Sequence, residues 1–140
     1  MRDSVTVIAS VHAPIDVVWR FLTAERNAWW PDMRFEAVVG SRLVETWVEE
    51  GREASATGSI TRCEAPHTLG FRWNEEGWEC PRDVLIVLVE NGMSTAVTLT
   101  ESGFAAAQTL PALPAEHDEG WRYHLARLKR VSEGNAVEAC

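Results

Sequence analysis

The sequence predicts an α+β domain in which a curved antiparallel sheet wraps one long C-terminal helix, leaving an apolar gap between them. Three observations predict it. The stretch 35–102 shows no helical period, only short β-rich runs separated by turn residues. The one long amphipathic pattern stands near the C-terminal end, at 115–131. A twisted sheet has a face to bury, and that helix is the largest element able to cover it.

The elements follow in order. Residues 4–12 (SVTVIASVH) are rich in β-branched side chains and read as a first strand. Ala13-Pro14 opens a short helix, proline losing nothing at a first helical position, with Ile15, Val18, Trp19 and Leu22 as its buried stripe. A second small helix, 24–30, is stopped by Pro31. Six strands are expected at 35–39, 42–48, 53–63, 68–73, 83–90 and 93–102. Gly40-Ser41, Gly51, Ala65-Pro66 and Gly77 supply the breaks. Asn91-Gly92 is the clearest turn, because both residues tolerate the positive φ of a two-residue hairpin.

Pro111 and Pro114 precede the final helix. Glu116, Asp118 and Glu119 lead it and Arg127, Lys129 and Arg130 close it, as the helix dipole favours. His117, Trp121, Leu125 and Leu128 share a face. Gly120 costs such a helix about 1 kcal/mol relative to alanine, which close packing at that point would explain. The order is β-α-α-β6-α, a single domain over 1–140 with an ordered core at 4–131 and a flexible tail at 132–140.

Composition narrows the function classes. A net charge of −8 argues against nucleic acid and anionic membrane surfaces as partners. The longest aliphatic run, 84–89, is far too short to span a bilayer, and no apolar leader follows Met1. Three cysteines, Cys63, Cys80 and Cys140, give an odd count with no regular spacing, so no disulfide framework is expected and the cytoplasm is the default compartment. Twelve arginines against one lysine suggest a GC-rich bacterial gene. Cys63, His67 and Cys80 fit no closed zinc pattern, so no metal and no cofactor is expected.

Ala13-Pro14 with Val18-Trp19 and Trp29-Trp30 resembles the START-like, birch-pollen-allergen-like (SRPBCC) superfamily. More narrowly it resembles the homologues of the activator of the heat-shock-protein-ninety ATPase. Gly40-Ser41-Arg42, Gly58-Ser59-Ile60, Pro66-His67-Thr68-Leu69 leading to Trp73, and the run 94–104 extend the match, as do Gly120-Trp121, Leu125 and Leu128. The resemblance implies a helix-grip fold and no single activity, since the superfamily includes lipid carriers, hormone receptors and polyketide cyclases. Where the family often has histidine after the Thr-Leu-Thr strand, this sequence has Glu101, so a role carried by that histidine does not transfer.

Alternation places Leu69, Phe71 and Trp73 on one face, then Val84, Ile86 and Leu88, then Val97, Leu99 and Glu101. Facing the helix, they would wall a pocket for a small hydrophobic or aromatic ligand. Its candidate binding residues are Trp47, Phe71, Trp73, Leu99, Glu101, Trp121, His124 and Leu125. Glu101 is the sharpest of these. It is either a polar anchor or acid/base group partnered by His124 or Arg122, or, the favoured reading, a solvated residue at the strand's rim. Glu45 shares a face with Leu43 and Trp47 and is read as exposed, a second pocket carboxylate being the alternative. Trp78, on the loop 74–81, could close the pocket mouth, contact a partner or fold back onto the sheet. Leu85, Val87 and Val89 face outward and would be covered by a homodimer or by a two-sided core position.

Passive binding is the leading function, with an enzyme using Glu101 and His124 (a cyclase or hydrolase) second. A chaperone co-factor comes last, the eukaryotic activators that name the family carrying a further chaperone-contacting domain.

Overall fold

The computed structural model describes residues 3–75, 80–104 and 113–134. The expectations for Trp78, Gly77, Pro111 and the tail beyond 134 lie outside those residues. The elements run β1 (Ser4–Val11), α1 (Ile15–Leu22), a 3-10 turn (Arg26–Ala28), β2 (Met33–Arg34), β3 (Arg42–Glu49), β4 (Arg52–Glu64), β5 (Thr68–Glu75), β6 (Arg82–Asn91), β7 (Ser94–Ser102) and α2 (Leu113–Ser132).

All seven strands form one antiparallel sheet in the order β1-β7-β6-β5-β4-β3-β2. Only the β1–β7 pairing joins strands distant in sequence, so the sheet is a meander closed by its first strand. This is the helix-grip α+β architecture. Strict alternation marks β7, where Thr95, Val97, Leu99 and Glu101 are buried and their neighbours are not. The same inward face carries Val5 and Val7 of β1, Phe71 and Trp73 of β5, and Val84, Ile86 and Leu88 of β6. Against it pack Val18 and Leu22 of α1 and Trp121, Leu125 and Leu128 of α2. Outward, Leu85 and Val87 are half-buried and Val89 is exposed.

Helix α2 lies chiefly against β1 and α1. The sheet's β3–β5 side is therefore less completely covered, and the openings described below occur there. Gly58 permits β4 to approach β5 closely: a Cβ there would stand 1.8 Å from the Arg72 carbonyl oxygen.

Several expectations change. The second small helix expected at 24–30 is a 3-10 turn over Arg26–Ala28. Pro14 caps α1 rather than beginning it, its carbonyl accepting from Val17 and Val18 N–H. The strand expected at 35–39 is instead Met33–Arg34 on β3, since the Arg26 side chain takes the Met33 and Phe35 carbonyls at 2.5 and 3.3 Å. Gly120 is not closely packed; a Cβ there would meet nothing within 4 Å. Among the described residues, no helix is long and apolar enough to cross a membrane.

Candidate functional site

The inward register of β7 carries Glu101 between Val84 of β6 and Val5 of β1, and its side chain is 0% exposed. Three nitrogens converge on it. Trp73 Nε1 donates to Oε2 at 3.0 Å and Trp121 Nε1 to Oε1 at 2.9 Å. His117 Nδ1 lies 2.7 Å from Oε1 and donates when it carries the proton. Two indole N–H groups and an imidazole are the donor set a buried carboxylate requires.

The rim reading of Glu101 is thus overturned, and so are its expected partners. His117 and Trp121, four residues apart on α2, present one helical face to Glu101. Arg122 points away and bonds Asp118 at 2.6 Å. His124 lies further along and stacks on Trp30, ring centroids 4.3 Å apart. The signal for His117 was present in the sequence, where it shares a face with Trp121. Behind Trp73, its cross-strand neighbour Arg82 is 1% exposed with its guanidinium 4.8 Å from the Phe104 ring. Burial lowers the Arg82 pKa, while the charges of Glu101 and then Glu75 oppose that.

Glu45 also faces inward, correcting the exposed reading. Strand register places Met33, Glu45, Ala56 and Glu75 in one row across β2–β5. Trp30 Nε1 donates to Glu45 Oε2 at 2.9 Å. Burial pushes the Glu45 carboxyl up to about 7; the Trp30 bond opposes this, and the charges of Asp32 and Glu75 add to it. Trp30 is held there because the loop around it is pinned. Trp29 Nε1 donates to the Phe21 carbonyl at 2.5 Å, and Arg127 of α2 donates to the Trp29 carbonyl at 2.9 Å.

Two clefts open at this end of the sheet–helix gap. One, of about 190 Å³, is lined by Glu45, Trp47, Ala56, Trp73, Glu75 and His117. The other, also about 190 Å³, is lined by Trp73, Glu116, His117, Gly120, Trp121 and His124. They share Trp73 and His117. Small residues keep them open, Ala56 on the floor and Gly120 on the helix. Burial, then the charge of Arg127, holds His124 down at about 4, so the ring is neutral at physiological pH. Its Nδ1 is buried with no partner among the described residues. A larger hollow of about 570 Å³ wraps the β3–β4 hairpin, touching Trp47 and Ala54 of one face as well as Thr46, Val48 and Glu53 of the other.

Of the residues expected to bind ligand, Trp47, Trp73, Trp121 and His124 line the clefts. Phe71, Leu99 and Leu125 face the helix but belong to the closely packed core, where the gap is filled. Glu101 sits behind the two indoles, and with His124 on Trp30 the structure does not bring those two together as an acid/base pair. Glu45 and His117 take the polar positions in the wall. Among the described residues no set of His, Cys, Asp or Glu side chains converges as a metal site.

A family model described as Activator of Hsp90 ATPase homolog 1-like protein matches residues 12–133. The chain belongs to that family. Solved structures extend the likeness of this Hsp90-activator-homologue fold. DynU16, a protein in the dynemicin biosynthetic locus, is 24% identical with a TM-score of 0.81, over 98% of this chain and 49% of its own. The present chain thus spans about half of DynU16. CalU16 from Micromonospora echinospora is 26% identical with a TM-score of 0.73, over 94% of this chain and 76% of its own. CV1439 from Chromobacterium violaceum, 17% identical, has a TM-score of 0.81 over 96% of this chain and 100% of its own. The likeness to DynU16 and CV1439 is one of fold. No curated protein matches the chain.

Proposed function

We propose that the protein binds a small aromatic or hydrophobic molecule in the paired clefts between β3–β5 and the N-terminal half of α2. One observation carries this reading: Trp47, Trp73 and Trp121 wall two adjoining spaces of about 190 Å³ each, with Glu45 and His117 as polar groups beside them. A cavity of about 150 Å³ holds benzene. Each cleft therefore takes about one ring, and the pair a two-ring body. The helix-grip fold is compatible with such a ligand.

The test is native mass spectrometry of protein taken from its own host, followed by thermal shift with the molecule found. At a hundredfold over Kd the ligand adds about 2.7 kcal/mol of stability. Gly120→Leu, which places a side chain where the wall is now open, should abolish the shift with the fold intact. A persistent shift in that variant would locate the ligand elsewhere, and no retained or stabilising molecule would end the proposal.

An enzymatic reading has one observation in its favour. Glu45, titrating at about 7, lines the same cleft as His117, and a pKa near the working pH suits a general acid or base. Catalysis here would use Glu45 and His117 rather than Glu101 and His124, because Glu101 is sealed from any ligand. With a substrate in hand, Glu45→Gln should lower kcat about a hundredfold or more; an unchanged kcat would exclude this role.

A further inference from the structure

We propose that a second site, on the outer face of the sheet at its β2 edge, binds a phosphate monoester through Arg26, Arg34 and Arg42. These three arginines and one acidic side chain, Glu36, border a hollow of about 500 Å³. It shares no lining residue with the paired clefts. Strand register explains how the charges meet. Arg34 pairs with Val44, and Arg42 lies two residues before Val44 on β3, so all three point away from the face that buries Met33 and Leu43. The 3-10 turn before β2 contributes Arg26.

An exposed arginine defines nothing alone, and three observations set this group apart. The chain carries 21 acidic residues against 13 basic ones. Here the balance reverses: three guanidinium groups meet one carboxylate, a local excess of two positive charges. Second, Arg34 and Arg42 make no hydrogen bond or ion pair with any described residue, whereas Arg20, Arg62, Arg72 and Arg122 each hold a carboxylate. Third, Arg26 is held in place. Its Nε donates to the Met33 carbonyl at 2.5 Å, and its Nη1 to those of Thr23 and Phe35 at 3.1 and 3.3 Å. The guanidinium stands 4.0 Å from the centre of the Phe35 ring. None of these bonds uses Nη2, so that nitrogen keeps its donors, and a side chain already fixed loses little freedom on binding. Burial lowers the Arg26 pKa and Glu36 opposes it; a bound anion would act in the same sense as Glu36.

The charge balance selects the ligand class. A phosphate monoester carries about −1.5 to −2 at neutral pH and offers three acceptor oxygens, which matches the local excess; a carboxylate brings one charge. Guanidinium groups also fit phosphate oxygens in pairs. Phe35 and Val44 add apolar wall to the hollow. The loop between Glu36 and Ser41, both at its border, carries Val38 and Val39, 63% and 59% exposed. The organic part of the ester is therefore apolar or aromatic. The net charge of −8 does not forbid such a ligand, since at physiological ionic strength charges more than about 8 Å away are largely screened.

The test is backbone-amide NMR of the intact protein with phenyl phosphate, inorganic phosphate and benzyl alcohol. Phenyl phosphate should move the Arg34, Ser41 and Arg42 amide signals to saturation. Inorganic phosphate should move the same signals about fivefold more weakly, lacking the apolar body, and benzyl alcohol should leave them in place. Arg34→Gln and Arg42→Gln, both at exposed positions outside the core, should each weaken phenyl phosphate about fivefold, as the loss of one exposed charge pair does. Raising sodium chloride from about 50 to about 500 mM should weaken it about tenfold. No saturating shift at about 10 mM, equal shifts from benzyl alcohol, or an affinity indifferent to both substitutions would overturn the site. Inorganic phosphate binding as tightly as the ester would overturn the monoester assignment in favour of the free anion. The cleft reading is judged separately, on the Trp47, Trp73 and Trp121 indole signals, so failure here leaves it standing.

Discussion

Glu45→Gln should stabilise the protein at alkaline pH and leave it unchanged at acid pH. The carboxyl titrates at about 7 in the fold and at 4.5 when unperturbed. Between those values the folded chain binds the proton and the unfolded chain does not. Stability therefore falls as pH rises from 4.5 to 7, and the loss is complete above 7. Each pH unit in that window is worth about 1.4 kcal/mol. Screening at a half-buried site reduces the total to roughly 2–3 kcal/mol. Glutamine carries no charge to desolvate and still accepts from Trp30 Nε1. Urea denaturation at pH 8 should show the variant more stable by that amount, a rise of roughly 6–10 °C in Tm for a chain of this size. At pH 4 the two proteins should agree within about 0.5 kcal/mol. Equal stability at pH 8, or the same gain at both pH values, would refute the placement of Glu45 in a desolvated, negatively charged cleft.

Other positions give equally definite expectations. His124, held at about 4 against an unperturbed 6.5, contributes stability that is present above pH 6.5 and lost as pH falls towards 4. His124→Phe, which can keep the stack on Trp30, should flatten the acid limb of a stability–pH curve by roughly 2 kcal/mol; an unchanged limb would place the ring in water. Glu101→Gln turns an amide NH₂ towards at least one of the three nitrogens and should cost about 2–3 kcal/mol in urea unfolding, whereas a loss below about 0.5 kcal/mol would deny the network. Gly58→Ala forces β4 from β5 and should cost about 3 kcal/mol or prevent folding; a near-native Tm would mean that the strands part easily.

Strand alternation was legible because burial on one face imposes it, and β3 to β7 lie close to where the residue pattern puts them. What failed was set by contacts between distant residues. Residues 35–39 look β-prone, but Arg26 captures carbonyls on either side of Arg34 and only Met33–Arg34 pair with β3. Glu101, near a strand's end, reads as a rim residue until α2 returns over it with His117 and Trp121. His117 and His124 are seven residues apart on one helix, and periodicity cannot say which turn lies over β7. The Trp30–Glu45 bond depends on how the loop before β2 is pinned, for which a linear pattern carries no signal. The aromatic wall was half legible: Trp73 and Trp121 stand where alternation and helical spacing put them, whereas the filling of the gap by Phe71, Leu99 and Leu125 is a matter of volume.

The central claim, that among the described residues the sheet–helix gap opens as a ligand site beside Trp47, Trp73 and Trp121, is tested most directly by indole-resolved NMR. In ¹⁵N-indole-labelled protein titrated with benzyl alcohol, the Trp47, Trp73 and Trp121 Nε1–H signals should move together and saturate. Those of Trp19 and Trp29, outside both clefts, should stay in place. Saturating shifts confined to Trp19 or Trp29, or none at any of the five, would contradict it.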